Sequence, residues 1–173
     1  MREFFYQINY DDESYAITYY SGDEEEVMIP CTFGGKPVTI LSDKLFAGHT
    51  EIRSVVIPDT VTDLGEFVFD GCLNLRQIKL PSGLLYLWGY TFCRCGIEEI
   101  VLPDSLKVIP PYAFKDCKQL RKVVGGSGLK KIGAWAFGGC DRLKELICDP
   151  SVEISTRAFE KNTDILEIKP VLQ

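Results

Sequence analysis

The chain has 173 residues, of which 46% are hydrophobic, and a formal charge of −6 at pH 7. This length is one domain's worth and supports a continuous core. A pI near 4.9 provides no phosphate-tracking field, which argues against nucleic acid as a partner, and no apolar stretch approaches a membrane span.

Met1 to Gln7 lacks the basic start and apolar run of a signal peptide. The default compartment is the cytoplasm for a full-length chain, or the cell surface or exterior if a leader has been removed. Residues 1–30 hold eight acids against one base, Arg2, whereas the rest hold seventeen acids and eighteen bases. Phe4 to Tyr10 and Tyr15 to Tyr20 read as strands around the turn Asp11-Asp12-Glu13-Ser14, and Glu26 to Ile29 reads as a third. These features predict a β-hairpin cap over 1–30 that covers the first turn of an array over 31–173, with the acids protecting its edges.

From residue 46 a phenylalanine returns at intervals of 23, 23, 22, 23 and 22: Phe46, Phe69, Phe92, Phe114, Phe137 and Phe159. A solenoid needs such a period, because each turn buries one face against the next. Five residues before the Phe stands an apolar anchor (Leu41, Leu64, Leu87, Ile109, Ile132, Ile154). Three after it stand His49, Cys72, Cys95, Cys117, Cys140 and Asn162, and six after it Ile52, Leu75, Leu120, Leu143 and Ile165. The third repeat is one residue short after Cys95, so Ile97 takes that slot. Short alternating runs such as Val55/Ile57, Ile78/Leu80 and Ile100/Leu102 predict one strand per turn. Pro58, Pro81 and Pro103 end three of them.

The expectation is an α/β solenoid of about six turns, with a parallel sheet on one face and short helical or irregular segments around each Phe on the other. Gly125-Gly126 replaces Leu-Pro in the fourth turn and predicts a looser or bulged strand. Lys44, Phe67, Tyr90, Tyr112, Trp135 and Arg157, two before each Phe, predict a half-exposed aromatic ridge with charged ends. In-register thiols about 4.8 Å apart are too far apart for disulfides, so the cysteines are expected to be buried free thiols.

The units Leu75-x-x-Ile78-x-Leu80-Pro81 and Leu106-x-x-Ile109-x-x-x-Ala113-Phe114-x-x-Cys117-x-x-Leu120 resemble the BspA-like class of leucine-rich repeats over roughly residues 15–170. The resemblance implies a right-handed solenoid and a role in adhesion or protein recognition.

Nothing in the chain marks an enzyme, a metal site or a cofactor. The one histidine, His49, falls in the thiol column, and Gly125-Gly126-Ser127-Gly128 lacks the phosphate-loop spacing. The outward positions of the sheet are left as the candidate site. Val101, Val124 and Ile147 form an apolar stripe, bordered by Arg53, Arg76, Lys79, Arg121 and Lys144; with Leu166 and Glu98 also facing outward, bases outnumber acids. Such a face suits a protein partner. The alternatives are a structural protein that self-associates weakly through the acidic cap or the C-terminal edge, and a cell-surface adhesion module.

Overall fold

The computed structural model describes residues 3–162 and 167–170. The N-terminal segment forms β1 (Phe4–Ile8), β2 (Tyr15–Tyr20) and β3 (Glu26–Met28). A hairpin of β4 (Thr32–Phe33) and β5 (Lys36–Leu41) follows. The chain then coils, each coil laying down a three-residue strand and a two-residue strand. The three-residue strands are β6 (Ser54–Val56), β8 (Gln77–Lys79), β10 (Glu99–Val101), β12 (Lys122–Val124), β14 (Glu145–Ile147) and β16 (Glu167–Lys169), which make the long face. The two-residue strands are β7 (Asp63–Leu64), β9 (Tyr86–Leu87), β11 (Val108–Ile109), β13 (Lys131–Ile132) and β15 (Glu153–Ile154), which make the short face.

Along both faces paired strands run parallel. β2 pairs parallel with β5, placing Ile17 opposite Leu41, and β3 pairs parallel with β6, placing Val27 opposite Val55. The acidic segment thus supplies a coil of its own, and the solenoid has about seven turns. β1 lies antiparallel to β2 at the outer end. Tyr20 stands in that extra coil where the others have Phe: it is buried, 5.1 Å from Phe46 by ring centroids, and covered by Phe4 at 5.0 Å. Its spacing of 26 residues from Phe46 hides it from a 22–23-residue period.

The Phe rings form one interior stack. Successive centroids from Phe46 to Phe159 are 5.2 to 5.5 Å apart, with planes within 11° of parallel. Beside them each thiol donates to the carbonyl of the Phe one coil earlier: Cys72 to Phe46, Cys95 to Phe69, Cys117 to Phe92 and Cys140 to Phe114, at 2.8–3.1 Å. The column thiols are therefore donors as well as small apolar groups. All seven cysteines are free, and Cys31 alone is exposed. Ile165 and Leu166 lie outside the described residues.

The helical part of the α/β expectation is not met: no described residue is in a helix, and each Phe sits in a run of turns. The backbone shows why. Lys44, Phe67, Tyr90, Tyr112 and Trp135 have φ between 57° and 63°, in the left-handed region, which interrupts a right-handed helix. The N–H groups also alternate in destination. Phe67, Phe69 and Gly71 donate to Gly89, Thr91 and Cys93 of the next coil, while Asp70 and Cys72 donate within their own. A helix would keep all of these bonds local.

The left-handed positions carry the expected ridge. Phe67, Tyr90 and Tyr112 stack at 4.7 Å, and Trp135 continues the row at 6.5 Å. Lys44 lies over Phe67, and Arg157 and Lys161 lie over Trp135. Carboxylates add ties between coils: Asp43, Asp59 and Asp104 accept the backbone N–H of Glu66, Ser82 and Ser127 at 2.6–2.9 Å. These bonds hold the Asp59 and Asp104 carboxyls below their ordinary value.

Both sheets are interrupted at the same junction, between the coils of Phe92 and Phe114. On the short face, Gly65, Trp88, Gly133 and Ser155 each donate to the preceding coil at Leu41, Leu64, Ile109 and Ile132. The equivalent residue at the junction is Pro110, which has no N–H. On the long face the missing residue after Cys95 falls directly before β10. Arg76 fills the gap: its Nη1 donates to the carbonyls of Leu73 (2.8 Å) and Gly96 (2.7 Å). A Cβ on Gly96 would fall 1.7 Å from Arg76 Nη1 and 2.1 Å from the Leu73 oxygen. The Phe stack crosses this junction unbroken, Phe92 to Phe114 at 5.2 Å.

The looser strand expected at Gly125-Gly126 is also absent. β12 keeps continuous register with both neighbours, and Gly125 N–H reaches Ile147 O at 2.7 Å. A Cβ on Gly126 would stand 2.4 Å from the Pro103 oxygen, so this glycine permits a close approach of coils.

Candidate functional site

On the long face, period-two alternation turns one residue of each strand inward and the two beside it outward. Val55, Ile100, Val123 and Leu146 are buried. Val101, Val124 and Ile147 occupy one register column, directly opposite one another, and Lys169 follows them. Val101 is 67% exposed, and Val124 and Ile147 are half-buried. Across the junction the column continues as Val56 and Lys79, so Val56 extends the stripe and Lys79 interrupts it.

The basic border is largely engaged within the chain. Arg53 pairs with Glu25 at 3.1 Å, and Arg121 with Glu98 at 2.7 Å. Arg76 is turned into the junction. Lys79 and Lys144 are exposed. In the next column Lys122 pairs with Glu145, and Glu145 also takes Lys169 from the end of the stripe's own column. The face is thus an apolar stripe inside a lattice of opposite charges, a more neutral surface than a count of bases against acids suggests. The ion pairs are exposed, and each is worth about 0–1 kcal/mol, so a partner can exchange them at little cost.

The short face carries features that a one-strand-per-turn reading missed. Leu87 points inward while its neighbours Tyr86 and Trp88 point out, 58% and 48% exposed. The alternation Tyr-Leu-Trp was the available signal. Two adjoining clefts open beside them. One is lined by Gln7, Thr18, Asp43, Asp63, Glu66 and Trp88 among others, and the second by Asn9, Tyr10, Asp11, Asp12, Asp63 and Tyr86 among others. Trp88 Nε1 donates to Asp63 Oδ1 at 3.0 Å. Burial raises the Asp63 carboxyl above its ordinary value, the Trp88 bond opposes this, and the Asp43 charge adds to it.

Little else offers chemistry. His49 takes the thiol position of its coil, 5.4 Å from the Tyr20 ring, with Nδ1 on Glu51. Burial, then the Asp70 charge, pushes the Cys93 thiol up to about 11, and burial raises Cys95 and Cys117 as well. Such thiols are poor nucleophiles at neutral pH. Among the described residues no group of three or more His, Cys, Asp or Glu side chains is placed to hold a metal ion, and no helix is long and apolar enough to cross a membrane.

No curated protein sequence matches this chain. Among solved structures, the leucine-rich repeat protein of T. pallidum is 31% identical with a TM-score of 0.87, over 97% of this chain and 80% of that one. A leucine-rich repeat protein from Bacteroides ovatus is 23% identical with a TM-score of 0.67, over 92% of this chain and 50% of that one. The pneumococcal vaccine antigen PcpA is 20% identical with a TM-score of 0.76, over 98% of this chain and 48% of that one. The chain spans about half the length of these last two. The BspA type leucine rich repeat region matches in six copies across residues 39–166. With that repeat covering most of the sequence and the stacked coils to match it, the chain belongs to the BspA-type leucine-rich repeat family.

Proposed function

We propose that the chain is a non-catalytic protein-recognition module that presents its long face to a protein partner. The observation that carries this is the register column Val101–Val124–Ile147, an outward apolar stripe set among exchangeable ion pairs. Arg53, Arg121 and Lys144 flank it as polar contacts, Lys79 interrupts its column between Val56 and Val101, and Arg76 holds the junction from which it starts. A sheet face of this size exposes on the order of 400–450 Å², against about 800 Å² per partner in a standard interface. The contact is therefore weak, or it extends onto neighbouring surface.

The test is co-purification from the native host followed by mass spectrometry, with wild type and the Val101→Lys/Val124→Lys variant. A partner recovered by wild type and lost by the variant supports the reading. Equal recovery by both overturns it.

A further inference from the structure

We propose that the short face, between β1 and β9, is a second docking surface, for an extended lysine- or arginine-bearing segment of a partner protein. It is distinct from the long face and does not rest on it. The walls of the groove are aromatic and apolar: Tyr10 is fully exposed, and Ile8, Tyr86 and Trp88, which line the same two clefts, are exposed with it. Large exposed apolar side chains gathered on one face mark a contact surface more than a solvated one.

The floor and rims have one sign of charge. Every charged residue that lines the two clefts is an acid: Asp43, Asp63 and Glu66 on the Trp88 side, Asp11 and Asp12 on the Tyr10 side. Lys36 stands outside this lining, with its ammonium on the Asp12 carbonyl. The clefts share Gln7, Ile40, Ser42 and Asp63, so they run into one another at Asp63. That continuity suits an extended segment better than a compact ligand.

Asp63 explains why a cation is the missing component. Its Oδ1 is occupied by the Trp88 indole N–H, and no base lines the clefts around it. Another acid of the same cleft, Asp43, adds its charge to the burial that raises the Asp63 carboxyl. An ammonium or guanidinium entering between Asp63 and Asp43 relieves that repulsion and comes to rest beside the indole, where a ring adds cation–π attraction. The bond to Asp63 also fixes the indole before any partner arrives, which reduces the ordering cost of binding. On the long face Arg53, Arg121, Lys122 and Lys169 already have acids, so the two faces select for different partners.

The experiment uses two end-labelled decapeptides, alternating Lys–Val and alternating Glu–Val, with fluorescence anisotropy on the whole chain. The Lys–Val peptide is expected to bind and the Glu–Val peptide not. Trp88→Ala and Asp63→Asn should each weaken binding tenfold or more. Glu153→Gln removes the same charge as Asp63→Asn from the far end of the short face, and it should change affinity less than twofold. Val101→Lys, on the long face, should also leave affinity unchanged, which separates this surface from the one proposed above. Binding of both peptides alike, or equal losses from Glu153→Gln and Asp63→Asn, would mean that only the general negative charge is felt and would overturn the proposal. Thermal melts of each variant confirm folding, since both target side chains are largely outside the interior stack.

Discussion

The two faces of this solenoid are built by the same coils, yet they differ in what they leave unanswered. The long face has three residues per strand, and its outward charges find partners one coil away: Arg121 with Glu98, Lys122 with Glu145, Lys169 with Glu145. The short face has two residues per strand, and in its N-terminal half the outward positions are Asp63, Tyr86 and Trp88, beside more acids. A stacked array places equivalent positions about 4.8 Å apart, so each column either neutralises itself or concentrates one property. The long face neutralises and keeps a thin apolar stripe, while the N-terminal half of the short face concentrates acid and aromatic groups. Periodic architecture thus does not imply a uniform surface.

The largest test of this contrast removes what both faces share. Phe114→Ala deletes a fully buried ring from the middle of the stack and is expected to cost about 3–5 kcal/mol, lowering the denaturation midpoint and abolishing binding at either face. If the midpoint holds, the interior column does not support the faces.

A smaller effect should come from the junction. Gly96→Ala forces a Cβ against the Leu73 carbonyl and the Arg76 guanidinium. The guanidinium can move, but the backbone oxygen cannot do so cheaply, so the cost is about 1–3 kcal/mol. Hydrogen exchange should report it at the start of β10 and leave the N-terminal half of the short face protected as in wild type. Uniform loss of protection across both faces would show that the junction does not separate them.

The smallest effect is a pH dependence confined to the short face. Asp63 has a raised carboxyl in the fold, so the folded state holds its proton to higher pH than the unfolded chain. Stability from this group is therefore greatest at acid pH and falls as pH rises through the folded value. Asp63→Asn keeps an acceptor for the Trp88 N–H and carries no charge. The variant should melt slightly higher than wild type at neutral pH and no higher below the ordinary carboxylate range. A loss of stability at neutral pH would mean that the charge itself is favourable there.

Much of the fold was legible because a solenoid repeats its chemistry. The Phe stack, the thiol column and the apolar anchors need the same side chain in the same place each turn, and that demand is written at intervals of 22–23 residues. The outward stripe Val101–Val124–Ile147 follows from the same counting. The extra coil was harder to see, because Tyr20 substitutes for Phe at a different spacing. The short-face strands offer only a brief alternation such as Tyr86-Leu87-Trp88, which a one-strand-per-turn reading passes over, and the groove at Asp63 draws Gln7, Asp43 and Trp88 from widely separated positions.

The sequence by itself determined the period, the interior columns and the family, since burial of one face per turn selects residue types directly. Only the tertiary structure decided that the turns around each Phe are not helical, because the sign of φ at Phe67 or Trp135 is set by bonds to the next coil and not by the residue. It also decided where both sheets break, through the absent N–H of Pro110 and the shortened turn at Gly96. Finally it decided which charges meet, because residues more than twenty positions apart become neighbours only when the coils are stacked.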